Sequence, residues 1–450
     1  MSRTFYSLRY FNYRLWFVGA LVANIGTWMQ RVAQDWLVLT QLTDDSGFAV
    51  GVVTGLQFLP ILLLSPYAGL LADRLPRRKL LVFTQGGMGI LAAGLGALVL
   101  SDRAELWHVY VFALLLGVFS ALDAPVRQTF VAELVPTKDM PNAVGLNSTS
   151  FNAARLVGPG LAGLLMAAVG PGWVFIINAV TFAATIAALM LMRSSELQAM
   201  PHTSRGRGQV RAGVAYVRRR SDIVVILVVV GVVGAFGLNF QMTSAVMARE
   251  AFGLGAGEYG VLGSILAVGS LAGALMAARR REPRVRIVVA AALAFGAAMI
   301  LQSVMPVYEL YALLCIPVGF FSLTMLTAAN TTVQMSTEPA MRGRVMALYM
   351  MVVMGTTPIG APIIGWIAEA FSARWAVAAG GLASVVIAVI AAVWVKRTWH
   401  IEVRYSLRHR PHVTVTGPRE RSAREAERTA RERVRDELAA DDARQVSETA

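Results

Sequence analysis

The sequence predicts an all-α membrane protein with twelve transmembrane helices in two pseudo-symmetric six-helix bundles. Three observations point there. The 450 residues are 56% hydrophobic and only 15% charged, whereas soluble domains are about 45–50% apolar and about 25% charged. The apolar residues gather into runs of about 20 residues or more, the length of helix that crosses a bilayer core. The basic residues gather in alternate connections between those runs, as cytoplasmic loops do.

Taken in order, the runs place spans at residues 12–40, 48–71, 80–100, 106–128, 142–168 and 172–192, then 222–248, 258–279, 286–305, 309–333, 343–370 and 374–395. The first follows Arg3 and Arg9, but it runs well past a signal-peptide core and has no small-residue cleavage site, so it reads as a retained helix. Span 2 is apolar but for Thr54, Gln57 and Ser65, and span 3 but for Thr84 and Gln85. Residues 193–221 hold seven arginines and form a central cytoplasmic loop between an N-terminal half, 1–192, and a C-terminal half, 222–395. Residues 396–450 carry 13 Lys/Arg and 10 Asp/Glu. They read as a solvated, charged cytoplasmic tail, disordered apart from helical pairs such as Glu420/Arg424 and Glu427/Arg431.

The loop charges set the orientation. Arg74, Arg77, Arg78, Lys79, Lys138, the central arginines, Arg279 to Arg281, Arg284 and Arg342 fall on one side. The other side holds Asp44, Asp45, Asp102, Glu105 and Glu250, with Arg103, Arg249 and Arg374. That bias puts both termini in the cytoplasm. The halves also repeat. A shift of 202 residues lays Gly158-Pro-Gly-Leu-Ala-Gly163 on Gly360-Ala-Pro-Ile-Ile-Gly365, Trp173 on Trp375, and Phe119-Ser120 on Phe321-Ser322.

Several function classes are excluded. The net charge of +14 sits at helix ends and in the tail, where topology explains it, so nucleic acid is not the partner. The single cysteine, Cys315, permits no intrachain disulfide, and five scattered histidines give no metal spacing. Gly87-Met-Gly-Ile-Leu-Ala92 mimics a dinucleotide loop but lies inside span 3 with no strand before it, and no phosphate-binding Gly-Lys-Ser/Thr occurs. The expectation is no enzyme, no cofactor and no ATP hydrolysis.

Charges inside the hydrocarbon each cost about 2.5–3.5 kcal/mol on insertion scales, so each asks for a reason. Arg31 and Asp35 lie one turn apart in span 1, with Asn24 and Gln30 nearby. Counted from a centre near residue 26, Arg31 sits ~7 Å above the midplane and Asp35 ~13 Å above it, close enough to the interface to be wetted. They form either a mutually neutralising pair or, for Arg31, a substrate contact and, for Asp35, the carboxylate for proton coupling. Arg155 lies near the midpoint of span 5 and, with Arg31, would make the cavity positive and suited to an anionic cargo; a hydrophobic drug is the competing cargo. Asn239 in span 7 and Asn330 in span 10 are further polar candidates for the cavity wall, though either also serves as a helix–helix hydrogen bond.

Two motifs carry a family resemblance. Gly69-Leu-Leu-Ala-Asp-Arg-Leu-Pro-Arg-Arg-Lys79 resembles the loop 2–3 signature of the major facilitator superfamily, departing at Pro76, where the family usually has glycine. Gly158, Pro159 and Gly163 in span 5 resemble the antiporter signature of twelve-helix drug exporters, with one adjacent glycine missing. Asn24-Ile-Gly-Thr-Trp28, Asp123-Ala-Pro-Val-Arg127 and Asn142-Ala-Val-Gly-Leu-Asn147 look like the branch holding macrolide and enterobactin-type siderophore exporters. The resemblance covers residues 10–395. It implies a monomeric exporter in a bacterial inner membrane that moves a small hydrophobic or anionic compound by alternating access and proton antiport. It also implies a gating latch in which Asp123 contacts Arg77 while Asp73 faces the start of span 11, with no matching acid in the second half. A proton-coupled nutrient importer would share this topology, and a non-transporting membrane sensor would use the tail.

Overall fold

The computed structural model of the chain describes residues 3–198, 209–278, 285–398, 402–406 and 412–416. The described residues fold almost wholly into helices. The first group comprises α1 (Phe11–Leu37), α2 (Gly47–Arg74), α3 (Arg77–Leu100), α4 (Leu106–Leu134), α5 (Met140–Val169) and α6 (Pro171–Leu191). After α7 (Gln209–Arg218) come α8 (Ser221–Phe236), α9 (Phe240–Val246), α10 (Ala256–Ala278), α11 (Val285–Ser303), α12 (Tyr308–Ser336), α13 (Pro339–Gly355), α14 (Thr357–Ala370) and α15 (Ala373–Thr398).

Among the described residues, eleven helical stretches are long and apolar enough to cross a membrane. α1 is not one of them. It has 27 residues, ample length, but holds Arg14, Arg31 and Asp35. Exposed apolar side chains such as Phe83, Ile90, Val180 and Leu313 fit a hydrocarbon surround.

Two predicted spans are each two helices. The run 222–248 breaks at Gly237–Asn239, where α8 ends and Asn239 starts α9. The run 343–370 breaks at Thr356, between α13 and α14. Spans 2 and 3 are longer than their apolar runs, so only Leu75 and Pro76 separate α2 from α3. The central linker is not all loop either: α7 lies in it, and Gly213 sits against Arg344 and Leu348 of α13.

Turn residues fix the corners. Asp45 takes φ +58°, a left-handed conformation that Asp tolerates, and the Ser46 side chain then caps α2 by accepting from the Ala49 amide at 3.2 Å. Gly170, at φ +83°, ends α5 and lets Pro171 begin α6.

Inside the first group α1 packs on α5 and α6, α2 on α4, and α3 on α4 and α6; in the second, α10 and α11 pack on α12. The groups meet along two lines, α2 against α14 and α5 against α10. Lipid tails are as apolar as leucine, so close approach of backbones, not burial from water, must hold such lines. A core of Tyr13, Trp16, Leu81, Phe130 and Leu189 closes the first group near the Arg77 end, with Trp16 edge-on to Phe130 at 5.3 Å.

The chain divides into two compact units, Met1–Ala388 and Val389–Ala450. Within the second, residues 402–406 and 412–416 form a two-stranded antiparallel ribbon, β1 and β2, pairing Glu402 with Thr416 and Ser406 with His412. The sequence reading foresaw no strand here. The expected helical pairs, Glu420/Arg424 and Glu427/Arg431, lie outside the described residues.

Candidate functional site

α1, α2 and α5 are the helices of the first group that touch the second. Side chains from all three meet around Trp28. The Arg31 guanidinium lies 5.3 Å from the ring centres of both Trp28 and Phe58. The Arg155 guanidinium lies 5.7 Å from the ring centre of Trp28, and Phe151 meets Trp28 edge-on at 6.0 Å. Arg31, Arg155 and Trp28 are each half-buried. Neither guanidinium has a hydrogen bond or ion pair among the described residues.

Asp35 does not neutralise Arg31 through an ion pair. Its carboxylate turns to α10, where the Tyr259 hydroxyl donates to it at 3.4 Å, and Tyr259 stacks on Trp36 at 5.7 Å. Asp35 is 4% exposed and Tyr259 2%. The expectation of a wetted carboxylate is therefore corrected: depth counted along one helix overlooks the neighbour that covers the residue.

The other predicted wall residues scatter. Asn24 accepts from Arg127 at 3.3 Å. Gln30 faces α6, accepting from Asn178 at 2.5 Å, and so is a helix–helix bond rather than a cavity contact. Asn239 is buried, donating to the Ala235 carbonyl at 2.5 Å. Asn330 accepts from Gln334 of its own helix at 2.5 Å.

The expected latch pairing also changes. Asp123 accepts from Thr84 Oγ1 at 2.7 Å, Gln85 Nε2 at 2.8 Å and Arg127 Nε at 3.0 Å, a knot wholly within the first group. Arg77 pairs instead with Glu133, ten residues further along α4 than Asp123. The helices extend beyond the apolar runs, which carries Arg77 past Asp123 to Glu133. The Asp73 side chain lies outside the described residues. Glu133→Gln should destabilise the first group by about 1–2 kcal/mol, the cost of unpairing a buried charge reduced for its residual exposure. Thermal unfolding in detergent checks this; an unchanged melting temperature would make the pair decorative.

The span 5 signature lies where the groups meet. A Cβ on Gly158 would strike Trp28 Cβ at 2.6 Å, so Gly158 seats Trp28. Pro159, which has no N–H for the Arg155 carbonyl, brings its own carbonyl within 2.4 Å of a Cβ built on Gly260. A Cβ on Gly163 would meet the Ala256 carbonyl at 2.7 Å. The α2–α14 line repeats this contact pattern. A Cβ on Gly51 would meet the Ala361 carbonyl at 2.5 Å, and one on Gly365 the Gly47 carbonyl at 2.4 Å. Ala361 and Gly365 are the residues that the shift of 202 lays on Pro159 and Gly163.

Polar links between the groups gather at the same end. Arg249 donates to Asp45 at 2.9 Å; Ser46 Oγ donates to Glu369 at 2.5 Å, and the Phe48 amide donates to the same carboxylate at 3.3 Å. Sequence reasoning singled out neither Trp28, Tyr259 nor Glu133. Trp28 had a signal, standing three residues before Arg31 on the same helix face.

A family profile described as transmembrane secretion effector matches residues 2–417. The staphyloferrin A transporter of Staphylococcus aureus (strain NCTC 8325 / PS 47) is 23% identical over 362 residues, 80% of this chain and 90% of that protein. The multidrug efflux pump Tap of Mycolicibacterium fortuitum is 28% identical over 366 residues, 78% of this chain and 88% of that one. In fold, the chain is similar to a bacterial homologue of the human lysosomal transporter Spinster, solved in an inward-facing and unoccupied conformation. The TM-score is 0.67 at 15% identity, covering 85% of this chain and 96% of the other. With that fold and those relatives it is a multi-pass membrane transporter and not an enzyme. The chain belongs to the transmembrane secretion effector family of the major facilitator superfamily, in the branch that holds drug and enterobactin exporters.

Proposed function

We propose that this chain is a secondary active exporter with twelve spans in two six-helix halves, residues 1–192 and 222–395, joined by a cytoplasmic linker in a bacterial inner membrane. α1 supplies the twelfth span despite its charges: Asp35 faces α10, Arg31 lies against Trp28 and Phe58, and Arg14 is exposed near the helix start. The exporter carries a small hydrophobic or anionic compound outward by alternating access, in exchange for protons. Both termini lie in the cytoplasm, because the basic connections do.

One observation carries the reading: the halves are sealed at one end. The glycine seams and the Asp45–Arg249 and Ser46–Glu369 links lie at the end whose loops are acidic, the outer side by the charge rule. The Arg31–Trp28–Arg155 group then faces a path from the cytoplasm, the loading position of an exporter. Asp35 is shut between α1 and α10 in this state. Opening the outer end parts those helices, breaks the Tyr259 contact and wets the carboxylate, so a proton enters from outside. The inner ends are governed by Asp73, Arg77 and Asp123, with Arg77 working through Glu133 and Asp123 through its knot.

The test is Asp35→Asn in inverted vesicles. Uphill accumulation of hydrophobic dyes should fall at least tenfold while downhill exchange of the same dyes persists. Undiminished uphill accumulation would place the coupling elsewhere.

A further inference from the structure

We infer that Arg31 and Arg155 form an anion site, taking the charged group of a small organic anion whose flat apolar body rests on Trp28 and Phe151. The inference rests on the exporter reading only for the role of that anion as cargo; binding itself does not depend on it.

Two guanidinium groups stand deep among the helices, and neither meets a carboxylate or any hydrogen-bond acceptor among the described residues. Each offers five N–H donors in a planar fork, the geometry that suits a carboxylate or sulfonate. The rings of Trp28 and Phe58 offset only part of the cost of withdrawing such a cation from water. The acid nearest in sequence, Asp35, is turned to Tyr259. Asp123 is held by Arg127, Thr84 and Gln85 instead. Arg31 feels the Asp35 carboxylate and, less strongly, the like charge of Arg155, and both guanidiniums lie against the Trp28 ring. A purely structural role would hydrogen-bond an acid to them. Two half-buried guanidiniums with no hydrogen-bonded acid, on helices that touch the other half, are what an anion requires.

The aromatic part follows from the same residues. Trp28 is seated close against α5, where a Cβ built on Gly158 would lie 2.6 Å from its own Cβ. Phe151 meets its ring edge-on, so a flat body stacks there while both arginines take the charge.

The experiment uses the full chain, purified in nanodiscs, with naphthalene-2-sulfonate, which stays ionised at working pH, and the uncharged naphthalene-2-sulfonamide. Calorimetric titration should show the sulfonate binding at least tenfold more tightly than the sulfonamide. Arg155→Gln and Arg31→Gln should each weaken the sulfonate at least tenfold and leave the sulfonamide within about twofold, with Arg155→Lys intermediate. Equal affinity of the two ligands for the natural protein would overturn the inference, and this needs no variant to fold. So would unchanged sulfonate affinity in both Gln variants with native melting temperatures. If dye export in the Asp35→Asn test behaves as proposed while the sulfonate shows no preference, the anion site falls and the exporter stands. The reverse result removes the exporter reading alone.

Discussion

Gly260→Ala should unseal the outer end of the transporter. The added Cβ would lie 2.4 Å from the Pro159 carbonyl oxygen and 2.9 Å from the Gly163 Cα. Both are backbone atoms of a packed helix, so no side chain can swing aside, and α10 must move off α5. Overpacking of this kind costs about 1–3 kcal/mol, and here only the sealed state bears it, which shifts the balance between states about 5- to 150-fold toward outward-open. Gly51→Ala should act alike, since its Cβ would stand 2.5 Å from the Ala361 carbonyl. The control lies one turn from Gly260: a Cβ on Gly257 meets nothing within 4 Å, so Gly257→Ala should be silent. The readout is maleimide labelling from the outside at Val246→Cys, a fully buried position beside Gly47, in a background where the single native cysteine, Cys315, is buried. Labelling should quicken and export should fall in the Gly260 and Gly51 variants at normal membrane level. Unchanged labelling in both would mean that the seams are not a gate.

These contacts show how far the sequence could be read. Eleven of the twelve spans were legible because length and apolarity alone decide them, and the family signature picked out Gly158 to Gly163. The partner helix was not legible, since nothing local ties Pro159 to Gly260, 101 residues away. The Arg77 pairing failed for a similar reason. Apolar runs stop before the helices do, and Glu133 lies on the part of α4 beyond the predicted span. Asp35 stood out as a carboxylate in an apolar run, but its environment depends on Tyr259 in the other half. The breaks at Asn239 and Thr356 leave no trace in hydropathy, because the residues on either side remain apolar. Arg31 and Arg155 were predicted to share a cavity from depth alone; Trp28, which joins them, appears only once α1 and α5 are packed.

If an anion leaves through this site in exchange for a proton, the exchange should move two charges per cycle. One negative charge goes out and one positive charge comes in, and both run down a potential that is negative inside. Each charge gains about 2.3 kcal/mol per 100 mV, so a one-for-one cycle gains about 4.6 kcal/mol, against about 2.3 kcal/mol for a neutral cargo. This can be read without knowing the natural cargo. Proteoliposomes would hold naphthalene-2-sulfonate at a fixed tenfold gradient, with no pH difference and the potential clamped by potassium and valinomycin. A tenfold gradient is worth about 1.4 kcal/mol. Net flux should therefore reverse near 30 mV if two charges move, and near 60 mV if the anion crosses alone. We expect reversal near 30 mV, moving as the pH difference is varied, and loss of the flux itself in Arg155→Gln. Reversal near 60 mV, indifferent to pH, would retain the anion site and remove the proton exchange. No dependence on voltage would mean that the proton travels with the anion instead of against it.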